Sequence, residues 1–305
     1  MTASQFESLL SGLVMPLLLT GLIQRVKSLW SGRRGPPLLQ PAYDVLKLLR
    51  KSPVYSETAT PLFRIAPWVF LTTACASAAV APLCGSPPVA SFPFDFVWFA
   101  YVWALGRVAV VLAALDTGSA FEGMGAAREA TFSTVLEPVL FLVAAALCSR
   151  AGAHTLHAAL RFDADGAVLL RVCAVLALLI VLQVEASRMP VDDPNTHLEL
   201  TMVHEVMVLD HSGPDLAAIQ LGSAIKLFVG CSMIAALLNP WAAAGGAPAV
   251  LANLVLSALV AVFLGTIESL VARLKLRLVP HYIGIALGFG AMALLLGVWG
   301  AVRVP

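Results

Sequence analysis

The sequence predicts an all-α fold: a polytopic membrane protein of eight transmembrane helices, with amphipathic helices in its polar loops. Three observations predict it. The 305 residues are 59% hydrophobic and only 12% charged, with a mean hydropathy of +0.88, whereas a soluble domain is nearer half apolar and about a quarter charged. Several windows of roughly 20 residues are almost free of charge, long enough to cross a hydrocarbon core about 30 Å thick. The remaining charges gather between these windows, where water can hold them.

The first span is read at 7–26. Its apolar run, Leu9 to Ile23, has no basic residues before it and Arg25 and Lys27 after it, the pattern of a retained span rather than a signal peptide. GRRGPP at 32–37 forms a tight loop entry, and Tyr43 to Leu49 reads as a short amphipathic helix with Lys47, Arg50 and Lys51 near its end. The second span, 65–84, stops at CGSPPVASFP (84–93), whose Pro and Gly mark a loop. The third, 96–115, carries Arg107 and runs into Asp116. Gly118, Gly123 and Gly125 then predict that Glu122 lies on a loop, with Glu129 seven residues on, before a fourth span at 130–149. There Pro138 follows Glu137, loosening the helix and freeing a carbonyl, which suits a wet site. The fifth span, 167–187, carries Glu185 at its end. A dense polar stretch follows as far as Gly213, with Thr196–Leu209 compatible with a surface helix. The sixth span, 217–239, holds Lys226. GGAP at 245–248 leads into the seventh, 248–270, with Glu268 near its end, and 281–301 is the eighth. No repeat or duplicated half is visible, so 1–305 is read as a single integral membrane domain.

Lys and Arg set the orientation. With the N-terminus outside, the inner segments hold 13 of the 19: Arg25, Lys27, Arg33, Arg34, Lys47, Arg50, Lys51, Arg64, Arg128, Arg188, Arg273, Lys275 and Arg277. Arg150, Arg161, Arg171 and Arg303 fall outside, and Arg107 and Lys226 within spans. The positive-inside rule then predicts both termini outside and the polar loops at about 27–64, 116–129 and 188–216 cytoplasmic.

Ionisable groups inside spans are costly and face protein or water. Glu137, Glu185, Lys226 and Glu268 are expected at similar depth, with Asp116, Glu122 and Glu129 nearby. Such a set suits a proton relay or a hydrated funnel, and equally a set of structural interhelix ion pairs. The first loop reads either as an anchor on anionic lipid or as a docking platform for a cytoplasmic partner. His197, His204 and His211 recur every seven residues, about 10.5 Å of helical rise, too far apart for two of them to share one ion. They are read as one polar stripe on an interfacial helix. The five cysteines include no C-x-x-C pair, so neither an iron–sulfur cluster nor a metal site is predicted in this chain. A net charge of +1 implies no nucleic-acid partner.

GRRGP at 32–36, LDTGSAFEGMGAARE at 115–129, and E-x-x-R-x-P-x-D at 185–192 followed by Glu199 and HSG at 211–213 together resemble the complex I membrane subunit that abuts the quinone site. The resemblance covers nearly the whole chain. GMGAARE and VDDPNTHLELTMVHE favour the branch found in group 4 membrane-bound nickel-iron hydrogenases, of the formate hydrogenlyase and hydrogenase-4 component C or D type. The resemblance implies a membrane-anchoring and energy-coupling subunit in a prokaryotic inner membrane, without a cofactor of its own. Its partners would be hydrogenase large and small subunits, an iron–sulfur subunit and antiporter-like membrane subunits, and these would carry the nickel-iron centre and the clusters. Arg33, Arg34, Arg188, Asp192, Asp193 and Glu199 would dock the soluble arm. Glu122, Glu129, Glu137, Glu185, Asp116, Lys226 and Glu268 would couple it to proton or sodium movement. Val191, Asn195 and His197 depart from the complex I pattern, which places the quinone-site subunit of a respiratory NADH:quinone oxidoreductase second. A free-standing ion transporter is the third reading; the lopsided loops and the missing inverted repeat stand against it.

Overall fold

A computed structural model describes residues 3–57, 59–161, 167–192, 202–242 and 245–303. Among these residues the chain is all helical: α1 (Ala3–Trp30), α2 (Gln40–Leu49), α3 (Pro61–Val80), α4 (Asp95–Asp116), α5 (Ala120–Ala151), α6 (Leu156–Leu160), α7 (Val168–Glu185), α8 (His204–Met207), α9 (Gly213–Leu238), α10 (Gly246–Leu270) and α11 (Val279–Arg303). Eight of them are long and apolar enough to cross a membrane. The protein is a multi-pass membrane protein.

Helix α9 is the centre of the bundle. Its span is 78% buried, against 28% for α1 and α11. Helices α3, α7, α1 and α10 pack around α9, and α11 lies against α5 and α7. Small residues let these helices approach closely, as membrane packing requires. Gly265 of α10, for example, sits against Val26 and the Ile23 carbonyl of α1.

Local sequence explains the ends. Pro41 opens α2, where its missing N–H costs nothing. Thr60 caps α3 by accepting from Leu62 N, and its hydroxyl also donates to Asp116, joining the start of α3 to the end of α4. Between α3 and α4 the chain dips back into the bundle, with Cys84 and Phe94 in left-handed backbone. Such non-helical backbone persists at depth only when protein satisfies it. Here Ser232 Oγ accepts from Cys84 N and Asp95 accepts from Leu156 N.

Two expectations fail. Glu122 is not on a loop: α5 begins at Ala120 and carries Glu122, Glu129 and Glu137 on one continuous helix. Gly123 faces open space and Gly125 faces Val206, Met207 and the Val203 carbonyl, so the second glycine admits a neighbour rather than breaking the helix. Nor does a surface helix cover 202–209. Only His204–Met207 is helical there, and Met202, Val203, Val206, Met207 and Val208 are buried, with α8 against α5. Residues 196–201, the rest of that expected helix, lie outside the described residues.

Candidate functional site

Trp103 and Arg107 are one turn apart on α4, and both turn inward. Glu129 and Glu137, eight residues apart on α5, face them. Glu185 ends α7 beside them, and Lys226 comes in from α9. Arg107 donates to Glu185 from Nη1 and to Glu137 Oε1 from Nη2, the latter at 2.6 Å. Its Nε lies 3.9 Å from Glu129 Oε1. The other oxygen of Glu185 accepts from Trp103 Nε1 at 2.6 Å and lies 3.6 Å from Lys226 Nζ. Lys226 donates to the Trp103 carbonyl at 3.1 Å, above the rings of Phe70 and Trp103. Two cations and three carboxylates thus form one network inside the bundle. Mutual pairing offsets much of the several kcal/mol that each isolated ion would cost there.

Next to it is a cavity of about 510 Å³ between α1, α2 and α9. Lys27, Lys51, Glu185, Arg188, His204 and Glu205 are among its lining residues. Glu185 therefore belongs both to the network and to the cavity wall. Glu137, at the other end, has a side chain 41% exposed on the outer face of α5. Burial holds the His204 imidazole below its ordinary pKa, with Lys226 acting in the same direction and Asp192 and Glu185 opposing.

Glu268 pairs outside this network. Helix α10 packs on α1 and α9, away from α4 and α5, and Glu268 pairs with Lys27 at 2.8 Å and Arg188 at 3.3 Å. Asp192 pairs with Arg273 at 3.0 Å and accepts from Val203 N and His204 N. These bonds knit the segment after α7 to α1 and to the end of α10. Glu122 accepts from Asp210 N, Asp116 is taken up by Thr60, and Arg128 donates to the Met202 carbonyl. Arg33 and Arg34 are exposed. Asp193 and Glu199 lie outside the described residues.

The histidine stripe does not form. His211 is buried and stacks on Phe63, with ring centroids 4.0 Å apart. Beside it Ser212 Oγ accepts from Val54 N, and Asp215 accepts from Tyr55 and Trp68, which joins the HSG segment to the first loop. His197 lies outside the described residues. Among the described residues no group of three or more His, Cys, Asp and Glu side chains could hold a metal ion. The sequence reading missed Arg107 as the hub and Trp103 as its neighbour. Their spacing of four in an otherwise apolar helix was the available signal.

The sequence profile of the NADH dehydrogenase family matches residues 6–298. Among curated proteins, hydrogenase-4 component C of Escherichia coli (strain K12) is 29% identical over 92% of this chain and 91% of its own length. Formate hydrogenlyase subunit 4 of the same organism is 27% identical over 90% of this chain and 92% of its own. An NADH-quinone oxidoreductase subunit of Methylococcus capsulatus (strain ATCC 33009 / NCIMB 11132 / Bath) is 27% identical, over 63% of this chain and 64% of its own. A chain of the membrane-bound sulfane sulfur reductase, an archaeal respiratory membrane complex, shares the fold, with a TM-score of 0.73 at 19% identity over the full length of both chains.

Proposed function

The chain belongs to the NADH dehydrogenase family, and on that premise we propose that it is the membrane-anchoring and energy-coupling subunit of a hydrogenase complex of the hydrogenase-4 or formate hydrogenlyase kind. Both hydrogenase relatives align over nine-tenths or more of this chain, and the quinone oxidoreductase subunit over 63%. In this reading the redox chemistry belongs to partner large, small and iron–sulfur subunits, and the chain holds them on the membrane beside antiporter-like subunits. The exposed Arg33 and Arg34 are the docking cations. The half-buried Arg188 and the buried Asp192 instead hold their segment in place for the partner.

The observation that carries the coupling role is the path of charge itself. Glu185 opens on the cavity, Glu137 opens on the far side of α5, and Arg107 touches both. A carboxylate can take up and release a proton in turn once the cation beside it lets go. Gln matches Glu in size and hydrogen bonding but does not ionise. In the assembled complex, Glu137→Gln and Glu185→Gln should cut proton or sodium movement per hydrogen turned over, at an unchanged amount of complex. Normal ion movement in both variants would defeat the relay. Co-purification of the soluble subunits with an Arg33→Ala, Arg34→Ala double variant tests the docking half, and undiminished recovery would count against it.

A further inference from the structure

The network holds one group that cannot relay a proton. A guanidinium stays protonated at any working pH. Yet Arg107 is the hub, and each of its three nitrogens faces a different carboxylate: Nη1 Glu185, Nη2 Glu137, and Nε Glu129 at 3.9 Å. It stands between the carboxylate in the cavity wall and the one on the opposite surface. A carboxylate paired with a fixed cation keeps its negative charge, and an extra proton passing between the two meets that cation in a medium of low dielectric.

We propose that Arg107 is the valve of the network: a positioning residue that bars proton passage between Glu185 and Glu137 while it clamps both. This rests on the relay reading above. A proton arriving from the cavity neutralises Glu185 and loosens Arg107 Nη1. The guanidinium then closes on Glu129, the loosest of its three partners, and frees Glu137. Glu185 stays in place, because Trp103 Nε1 and Lys226 hold its other oxygen. The proton leaves Glu185 for Glu137. Glu185, anionic again, recaptures Arg107, and Glu137 passes its proton on at the outer face of α5. One proton enters and one leaves, only O–H bonds break and form, and Arg107 remains cationic throughout.

The test uses the intact complex in sealed membrane vesicles, with two readouts: resting proton conductance after an imposed pH step, and protons moved per hydrogen turned over. Glu137→Gln and Glu185→Gln address the relay alone. A parental ratio in both defeats the relay reading, whatever Arg107 does. The valve predicts that Arg107→Gln raises resting conductance roughly tenfold, equivalent to about 1.4 kcal/mol off a barrier. Adding Glu137→Gln to it should restore the parental value. Lys keeps the charge but lacks the planar fork that spans two carboxylates, so Arg107→Lys should leak by a smaller factor, roughly threefold. An Arg107→Gln complex as tight to protons as the parent overturns the proposal. If that variant does not assemble, Arg107→Lys decides, and parental conductance there overturns it equally. A purely structural Arg107 would lower the yield of complex without raising conductance.

Discussion

At the scale of single residues, His211 is the clearest case of burial fixing chemistry. Its ring lies flat against Phe63, buried, and neither ring nitrogen has a hydrogen-bond partner among the described residues. Burial pushes its pKa down to about 4, with Asp215 opposing. The ordinary value is about 6.5, so the fold accommodates the neutral form and the unfolded chain binds the extra proton. The stability contributed by this group is complete above about pH 6.5 and is lost as pH falls toward 4, on the order of 3 kcal/mol across the window. Proteolysis of the 52–57 segment in the purified complex should therefore quicken between pH 7 and pH 5. His211→Phe, which cannot ionise, should flatten that dependence, and an unchanged slope would assign it to another group. None of this was legible in the sequence. HSG is visible as letters, but Phe63 lies almost 150 residues away, and the spacing to His197 and His204 suggested a stripe that the fold does not make. Arg107 shows the same limit. A sequence displays charges inside spans; which of them meet depends on how α4, α5, α7 and α9 pack.

At the scale of elements, most of the bundle could be read directly, because a span is a property of composition. Eight apolar windows became eight long helices, and the amphipathic stretch after GRRGPP became α2, entered through Pro41. The failure at the start of α5 has a definite cause. Glycine in a helix is ambiguous from sequence alone: it weakens the helix, or it leaves room for a neighbour. Gly123 and Gly125 stand in one turn and divide these roles. A methyl group at Gly125 would press on Val206, Met207 and the Val203 carbonyl, one of them backbone that cannot swing aside. Gly125→Ala should therefore cost roughly 1–3 kcal/mol through overpacking, seen as a lower melting temperature of the purified complex. At Gly123 nothing lies within 4 Å, so Gly123→Ala should gain up to about 1 kcal/mol of helix propensity. Equal effects at the two positions would mean that α8 does not bear on α5.

At the scale of the whole molecule, polar chemistry is gathered at one end of the bundle. The cavity, the Glu268 and Asp192 ion pairs and the junction of the first loop with the HSG segment all lie where 13 of the 19 Lys and Arg residues also lie. Only four fall at the other end. Basic residues near short loops are retained on the cytoplasmic side, so this asymmetry predicts an orientation, and the orientation decides which compartment feeds the cavity. The cavity should then open toward the cytoplasm, with the loop between α3 and α4 and the loop between α9 and α10 outside. Exposed positions report this most directly. Val89 is 39% exposed in the first of those loops, and Pro240 is exposed in the second. Ser31 and Glu57 are exposed at the polar end. With the five native cysteines replaced, Val89→Cys and Pro240→Cys in intact cells should react with a thiol reagent that cannot cross the membrane. Ser31→Cys and Glu57→Cys should react only after the membrane is opened. The reverse pattern would invert the molecule, so that the cavity and Glu185 in its wall would draw protons from outside.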